Sequence, residues 1–318
     1  MLVWRLSLGV LLVAMLVGLA WLDFNGPRPG LYLAPLAVAS VVLGANELVR
    51  LFEHNSALES IQPPEPSQRL APSRYVVATG AALVTVFSFA PIAWEAYPAD
   101  CPVGRIGWTA IGFAVALLLT VLIEMVRYQK PGVSTLRLSQ AVLAIGYCGG
   151  LMGFAAQLRL LGGEPWGDDG RWGMVALLSL MAVVKANDTG AYTAGRLFGR
   201  HKMTPLLSPG KTWEGIAGGM LLSIAAAALC LGPIAQALGC EIARTSPWWW
   251  TGVVVYGVVV GAAGVAGDLA ISLLKRDSGL KNSSSWMPGF GGVLDVLDSV
   301  LFAAPVAYAC WLAEIVGP

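Results

Sequence analysis

Long apolar runs separated by short polar stretches set the period of this chain. Nine runs approach the roughly 20 mostly apolar residues that a membrane-crossing helix needs. They cover 6–22, 31–47, 75–95, 106–123, 140–157, 173–186, 216–238, 251–270 and 293–315. The pattern predicts an all-α integral membrane protein of about nine transmembrane helices. Arg5 precedes the first run as it would in a secretory leader, but no small-residue cleavage motif precedes Asp23, so this run is expected to remain as a span.

The basic residues sort with these runs. On the side that holds the N-terminus and the loops after even-numbered spans lie 14 of the 20 Lys and Arg, from Arg5, Arg50, Arg69 and Arg74 to Lys275, Arg276 and Lys281. The other side has 5 (Arg28, Arg105, Arg159, Arg171 and Arg244), and Lys185 lies within a run. Cytoplasmic loops carry the excess of Lys and Arg. The expected topology is therefore an N-terminus in the cytosol and a C-terminus outside, in a multi-pass protein of the inner (cytoplasmic) membrane.

Composition agrees. The 318 residues are 56% hydrophobic and 12% charged, with mean hydropathy +0.68; a soluble domain carries about 25% charged residues. A net charge of +1 gives nucleic acid nothing to bind. His54 and His201 make no zinc spacing with the five scattered cysteines. Cys101 and Cys240 fall in outer loops, either as a pair in an oxidising compartment or as two unrelated small residues.

The chain divides into N-terminal transmembrane helices, 1–139, and a region, 140–318, that carries the polar chemistry. Pro63, Pro64, Pro66 and Pro72 mark the cytosolic stretch 54–74 as a connection. Asp168 and Asp169 in the loop 162–172 suit an exposed turn better than a metal. Trp248, Trp249 and Trp250 suit an interfacial anchor. Ala225 to Ala228 and Gly257 to Gly267 are small enough for close helix packing. No internal repeat is visible.

Two polar blocks on the cytosolic side hold the candidate chemistry. Asp268 interrupts an apolar run, and a carboxylate at membrane depth is expensive unless paired or metal-bound. Asp295 and Asp298 are three apart and share a helix face. Such acids can hold Mg²⁺ through one or two carboxylates while phosphates and water fill the remaining positions; the plain alternative is pairing with Lys or Arg. Lys275, Arg276 and Lys281, like Arg196, Arg200 and Lys202, are either ordinary positive-inside residues or phosphate partners. Ser208-Pro209-Gly210-Lys211-Thr212-Trp213-Glu214-Gly215 resembles a Walker loop superficially, but position 205 is Pro205 and no strand is expected before it. Gly210, Lys211, Ser208 and Thr212 still offer a backbone approach, a point charge and hydroxyls to phosphate. Glu214 favours a helix N-terminus; capping explains Thr212 and Glu214 but not Lys211. Pro288 to Gly292 form either a phosphate-binding helix start or a plain turn. Asp188 either binds metal or ribose, or pairs with Lys185.

These blocks resemble those of the phosphatidate cytidylyltransferases. The match runs through Asp188-Thr189-Gly190-Ala191-Tyr192, Gly195-Arg196, Ser208-Pro209, Lys211 to Gly215, Gly267-Asp268, Ser272 to Arg276, Lys281, Pro288-Gly289, Gly291-Gly292, Asp295 and Asp298. It covers roughly 140–318; the N-terminal third matches only as hydrophobic spans. Asn282, Phe290 and Val296 stand where the family pattern has Asp, His and Arg. The resemblance implies a membrane-embedded homodimer. It also implies a metal centre at Asp268 and Asp295, Mg²⁺ with a possible monovalent partner such as K⁺. The activity it implies is cytidylyl transfer from CTP to phosphatidate. Asp298 and Lys275 would support the metal and the reacting phosphates. Asp188, Arg196, Ser208, Lys211, Thr212, Glu214, Arg276 and Lys281 would bind substrate. A divergent member using another lipid phosphate, or a transporter or scaffold, are the alternatives; a transporter would show inverted repeats and broken helices at the midplane.

Overall fold

The computed structural model describes residues 2–59, 70–94, 97–98, 100–128, 131–242, 248–284 and 291–318, without the side chains of 2–8 and 56–59. The helices are α1 (Leu2–Phe24), α2 (Ala34–Glu59), α3 (Arg74–Ser88), α4 (Gly104–Val126), α5 (Ser134–Ile145), α6 (Leu151–Arg159), α7 (Arg171–Phe198), α8 (Trp213–Leu229), α9 (Ala235–Ala237), α10 (Trp248–Asp277) and α11 (Val293–Leu312). Each apolar run of the sequence is helical over most of its described residues. Among the described residues seven stretches are long and apolar enough to cross a membrane: Ala34–Asn55, Gly104–Val126, Ser134–Arg159, Arg171–Phe198, Trp213–Ala237, Trp248–Asp277 and Val293–Leu312. Of the two other expected spans, Arg74–Ser88 is a shorter apolar helix, and α1, helical over Leu2–Phe24, has described side chains only over its apolar part Gly9–Phe24. Apolar side chains face outward along them, Leu118, Leu122 and Leu221 among them, as lipid-facing surfaces require.

Two of the long stretches are not uniform α-helix. Gly146–Gly150 joins α5 to α6 as a π-helical turn, and Cys230–Ile234, with Pro233 inside, joins α8 to α9 in the same way. Glycine and proline loosen the hydrogen-bond ladder at both places.

The chain forms two compact units. The first comprises Met1–Ala156 and Leu273–Leu297. Here α3 packs on α2 and α4. Glycines set the closeness: a methyl on Gly112 would lie 2.7 Å from Phe87 Cβ, and one on Gly149 would lie 2.8 Å from the Ala81 carbonyl oxygen. Buried Thr109 Oγ1 donates to Ser88 Oγ at 2.9 Å, tying α4 to α3. Buried Asp23 accepts from the backbone N–H of Gly30 and Tyr32, both at 2.9 Å, and closes the loop before α2.

The second unit comprises Gln157–Ser272 and Asp298–Pro318. Its spine is the α7–α8 pair. A methyl on Gly190 would lie 2.7 Å from the Gly218 carbonyl oxygen, one on Gly215 2.8 Å from the Ala191 oxygen, and one on Gly219 2.9 Å from Asn187 Oδ1. Small-residue seams of this kind let backbones meet where no hydrophobic force drives association. The glycines of α10 do the same: Gly257 meets Ile224, Gly261 meets Ser223 and Asn187, and Gly267 meets the Asp298 carbonyl. The packing role expected for Gly257 to Gly267 is what they perform.

Between α7 and α8 the chain leaves the helical pattern. Lys202–Thr204 (β1) and Ser208–Thr212 (β2) pair antiparallel, Lys202 opposite Thr212 and Thr204 opposite Ser208, with a bulge between. The expectation that no strand precedes Lys211 is corrected here, within a chain that is otherwise helical. The Ser-Pro-Gly-Lys-Thr segment is itself an edge strand, where proline is tolerated, and it delivers Lys211 and Thr212 to the start of α8.

Candidate active site

Thr212 has extended backbone angles and its Oγ1 accepts the Gly215 N–H at 3.1 Å, so it caps α8. Glu214, in the first turn, reaches back to the backbone N–H of Arg200 (3.1 Å) and His201 (3.2 Å) and to His201 Nδ1 at 2.6 Å. These two residues therefore shape the hairpin and helix start. Lys211, which capping leaves unexplained, points to α10: its Nζ lies 2.8 Å from Asp268 Oδ2 and donates to the Val265 carbonyl at 3.2 Å.

Asp268 is the centre of a charged cluster in the second unit. Its side chain is 35% exposed. Lys185 Nζ and Asp188 Oδ2 are 3.5 Å apart. Asp188 feels the charges of Asp268 and Lys211, and Asp298 feels those of Asp268 and Lys185. Asp298 is buried, and its Oδ1 accepts from the Ser299 N–H at 2.6 Å and from Ser299 Oγ at 3.1 Å. Gly267 makes this proximity possible. A side chain there would collide with the Asp298–Phe302 turn of α11, whose Asp298 oxygen lies 2.6 Å from the methyl position. Three carboxyl groups thus share the field of two lysines. Among the described residues no three His, Cys, Asp or Glu side chains close into a metal cage by themselves. The cluster fits a divalent ion held by one or two carboxylates and completed by phosphate and water.

Asp295 belongs to the first unit, and its surroundings differ. Oδ1 accepts from Lys275 Nζ at 2.8 Å; Oδ2 accepts from the Ser283 N–H (3.0 Å), Ser283 Oγ (2.9 Å) and the Gly292 N–H (3.0 Å). Asp295 and Lys275 side chains are 10% and 11% exposed. With four donors in place, Asp295 takes a metal only if Lys275 gives up its oxygen.

Glu47, on α2, is the residue that the sequence reading missed. It is buried, its Oε1 accepts from the Val293 N–H at 3.0 Å, and its Oε2 accepts from the Leu294 N–H at 3.0 Å and from Ser283 Oγ at 2.8 Å. The signal was an acid at the end of the apolar run 31–47, the same unwelcome charge that singled out Asp268. Together Glu47 and Asp295 occupy the first N–H groups of α11. Of the two readings of the segment before that helix, its described residues favour the plain turn, since protein carboxylates already take the N–H groups of Gly292, Val293 and Leu294. Gly291, at φ +88, and Gly292 are glycines because those carboxylates and Ser283 stand where their side chains would project. Pro288, Gly289 and Phe290 lie outside the described residues.

The remaining candidates are more open. Arg196 donates to the Tyr192 hydroxyl at 3.0 Å, Arg276 to the Leu280 carbonyl at 3.4 Å, and both are exposed. Lys281 is exposed and Ser208 half-buried. Asp168 accepts from the Gly163 N–H at 2.9 Å, and Asp169 pairs with Arg171 at 3.1 Å, as suits a turn. All five cysteines, Cys101 and Cys240 included, are free thiols.

The cytidylyltransferase family profile matches residues 3–313, and the chain belongs to that family. It is 39% identical over 155 residues, 49% of this chain and 52% of the relative, to a phosphatidate cytidylyltransferase of Haemophilus influenzae. It is 33% identical over 218 residues, 63% of this chain and 50% of the relative, to the chloroplastic phosphatidate cytidylyltransferase 5 of Arabidopsis thaliana. It is 40% identical over 129 residues, 41% of this chain and 38% of the relative, to a phosphatidate cytidylyltransferase of Mycobacterium leprae. The chain spans about half the length of the curated relatives it matches.

Proposed function

We propose that this protein transfers a cytidylyl group from CTP to phosphatidate, giving CDP-diacylglycerol and pyrophosphate for phospholipid synthesis. The observation that carries the reading is the Lys185, Asp188, Lys211, Asp268 and Asp298 cluster inside a membrane helix bundle of the cytidylyltransferase family. An oxygen of the phosphatidate phosphate attacks the α-phosphorus of CTP, and the bond to the pyrophosphate leaving group breaks. Both reactants are anions, so charge is the main obstacle. Mg²⁺, when bound, would neutralise phosphate oxygens and fix their geometry; Asp268 would hold it in the second unit, and Asp295, which the family resemblance also assigns to metal, would be free to take one only where Lys275 releases its carboxylate. Such an ion can have a monovalent partner. Lys211 and Lys275 supply ammonium groups to the triphosphate and lipid phosphate once they leave their carboxylates. Ser208 and Thr212 flank Lys211 on the nucleotide side. Arg196, Arg276 and Lys281 gather phosphates from the cytosol. The reaction needs no covalent protein nucleophile.

The same reading takes all nine helices across the inner membrane, N-terminus in the cytosol and C-terminus outside, with the site facing the cytosol, and includes a homodimer. The α3 helix and the 3₁₀ turn Ala90–Ala93 that follows it together reach about 30 Å at 1.5 and 2.0 Å per residue, the thickness of a hydrocarbon core.

Purified protein with CTP, phosphatidate and Mg²⁺ should form CDP-diacylglycerol, chelation should stop it, and Asp268→Asn and Asp295→Ala should abolish it. Normal turnover by either variant would refute the assignment. Product from another lipid phosphate, and none from phosphatidate, would replace the substrate.

A further inference from the structure

The Glu47 carboxylate is buried on a helix of the N-terminal half, yet three of its hydrogen bonds go to residues far along the chain: Ser283, Val293 and Leu294. Its Oε2 shares the Ser283 hydroxyl with Asp295 Oδ2, at 2.8 and 2.9 Å respectively. Ser283 also gives its backbone N–H to Asp295, and Asp295 in turn holds Lys275. One acid therefore fixes the first turn of α11 and the Ser283 backbone, which between them aim Asp295 and Lys275. Gly292 confirms how tightly the place is filled: a methyl there would run into Glu47 Oε2 and Ser283 Oγ.

We propose that Glu47 is a positioning residue for cytidylyl transfer, acting through Ser283 and the start of α11 on Asp295 and Lys275. The inference rests on the reaction proposed above, but its structural half does not. Glu47→Gln retains the size of the side chain and only one carbonyl acceptor. Its amide NH₂ faces the N–H or hydroxyl donors that the second oxygen served. An ångström of misplacement in a site that works by alignment costs on the order of 10²-fold.

Two measurements on the full-length protein in detergent decide the proposal. In hydrogen exchange, the peptide covering 291–297 should exchange faster in Glu47→Gln than in the wild type, while peptides of α7 and α8 are unchanged. Equal exchange at 291–297 overturns the proposal whatever the turnover. In the CTP and phosphatidate assay, Glu47→Gln should lower kcat about 10²-fold with KM for CTP within about threefold, and Glu47→Asp, which keeps the charge, should recover part of it. Ser283→Ala should share the deficit, and the double variant should be no worse than the poorer single one, as for residues acting in one network. Additive losses, or wild-type kcat in Glu47→Gln, overturn the positioning role. A wild-type protein that makes no CDP-lipid sinks the reaction and with it the catalytic half of this inference, leaving exchange to decide the structural half.

Discussion

At the scale of single residues, the site is built from carboxylates that already have partners. Lys275 and Asp295 form the most enclosed pair, at 2.8 Å. Removing one member of such a pair leaves the other charge buried and costs about 3–5 kcal/mol; Asp295 retains three donors, so Lys275→Met should destabilise by about 3 kcal/mol, at the low end of that range. Thermal unfolding in detergent measures it, and Lys275→Met with Asp295→Asn, which removes the unpaired charge yet keeps an oxygen for the Ser283 and Gly292 N–H groups, should recover much of the loss. A single variant as stable as the wild type would mean that the pair is not formed. The acids and lysines themselves were legible in the sequence, because charge in an apolar run is conspicuous. Their pairing was not. Lys211 and Asp268 are separated by a whole helix, and only the fold turns two candidate ligands into an ion pair. Glu47 carries the same signal as Asp268 but has no motif around it, so a reading guided by motifs passes over it.

At the scale of elements, the glycines of the polar blocks divide into mechanical and open ones. Gly190, Gly195 and Gly215 stand in the blocks that carry the family resemblance, and all three lie at close approaches of α7 to α8 or to Thr212, its cap. Gly210, by contrast, has open space where a side chain would go. A residue-by-residue reading cannot separate these two kinds, since both spell glycine among polar neighbours. Helix periodicity was clear wherever the runs were long, but the hairpin Lys202 to Thr212 was invisible. It is short, carries Pro209 and Gly210, and has no alternating pattern. The seam gives a clean contrast. Gly219→Val must push into the Asn187 carbonyl and amide oxygens, and overpacking of this kind costs about 1–3 kcal/mol. Gly18→Ala meets nothing within 4 Å and should leave the melting temperature unchanged or slightly raised. Equal melting of Gly219→Val and the wild type would show that α7 and α8 do not pack as described.

At the scale of the molecule, the open question is which helices cross the bilayer, and it turns on α3. With α3 crossing, the stretch before Arg74 lies in the cytosol with Arg50 and Arg74, and the loop holding Cys101 lies outside. If α3 does not cross, both flanks share one side, and those arginines leave the basic face that the charge bias defines. Cys101 is a built-in reference: it is half-buried, whereas Cys148, Cys230, Cys240 and Cys310 are buried. Its thiol lies 3.2 Å from the Tyr97 hydroxyl, and that hydrogen bond lowers its pKa below the ordinary thiol value. The thiolate is the reactive form, so labelling should set in at lower pH than for a typical thiol near 8.5, and Tyr97→Phe should move the profile upward. Tyr75 is 83% exposed at the other end of α3. In intact cells, an impermeant maleimide should label Cys101 and spare Tyr75→Cys until the membrane is opened. Labelling of both positions from the outside would keep α3 on one face, remove one span from the expected nine, and move Arg50 and Arg74 out of the cytosol.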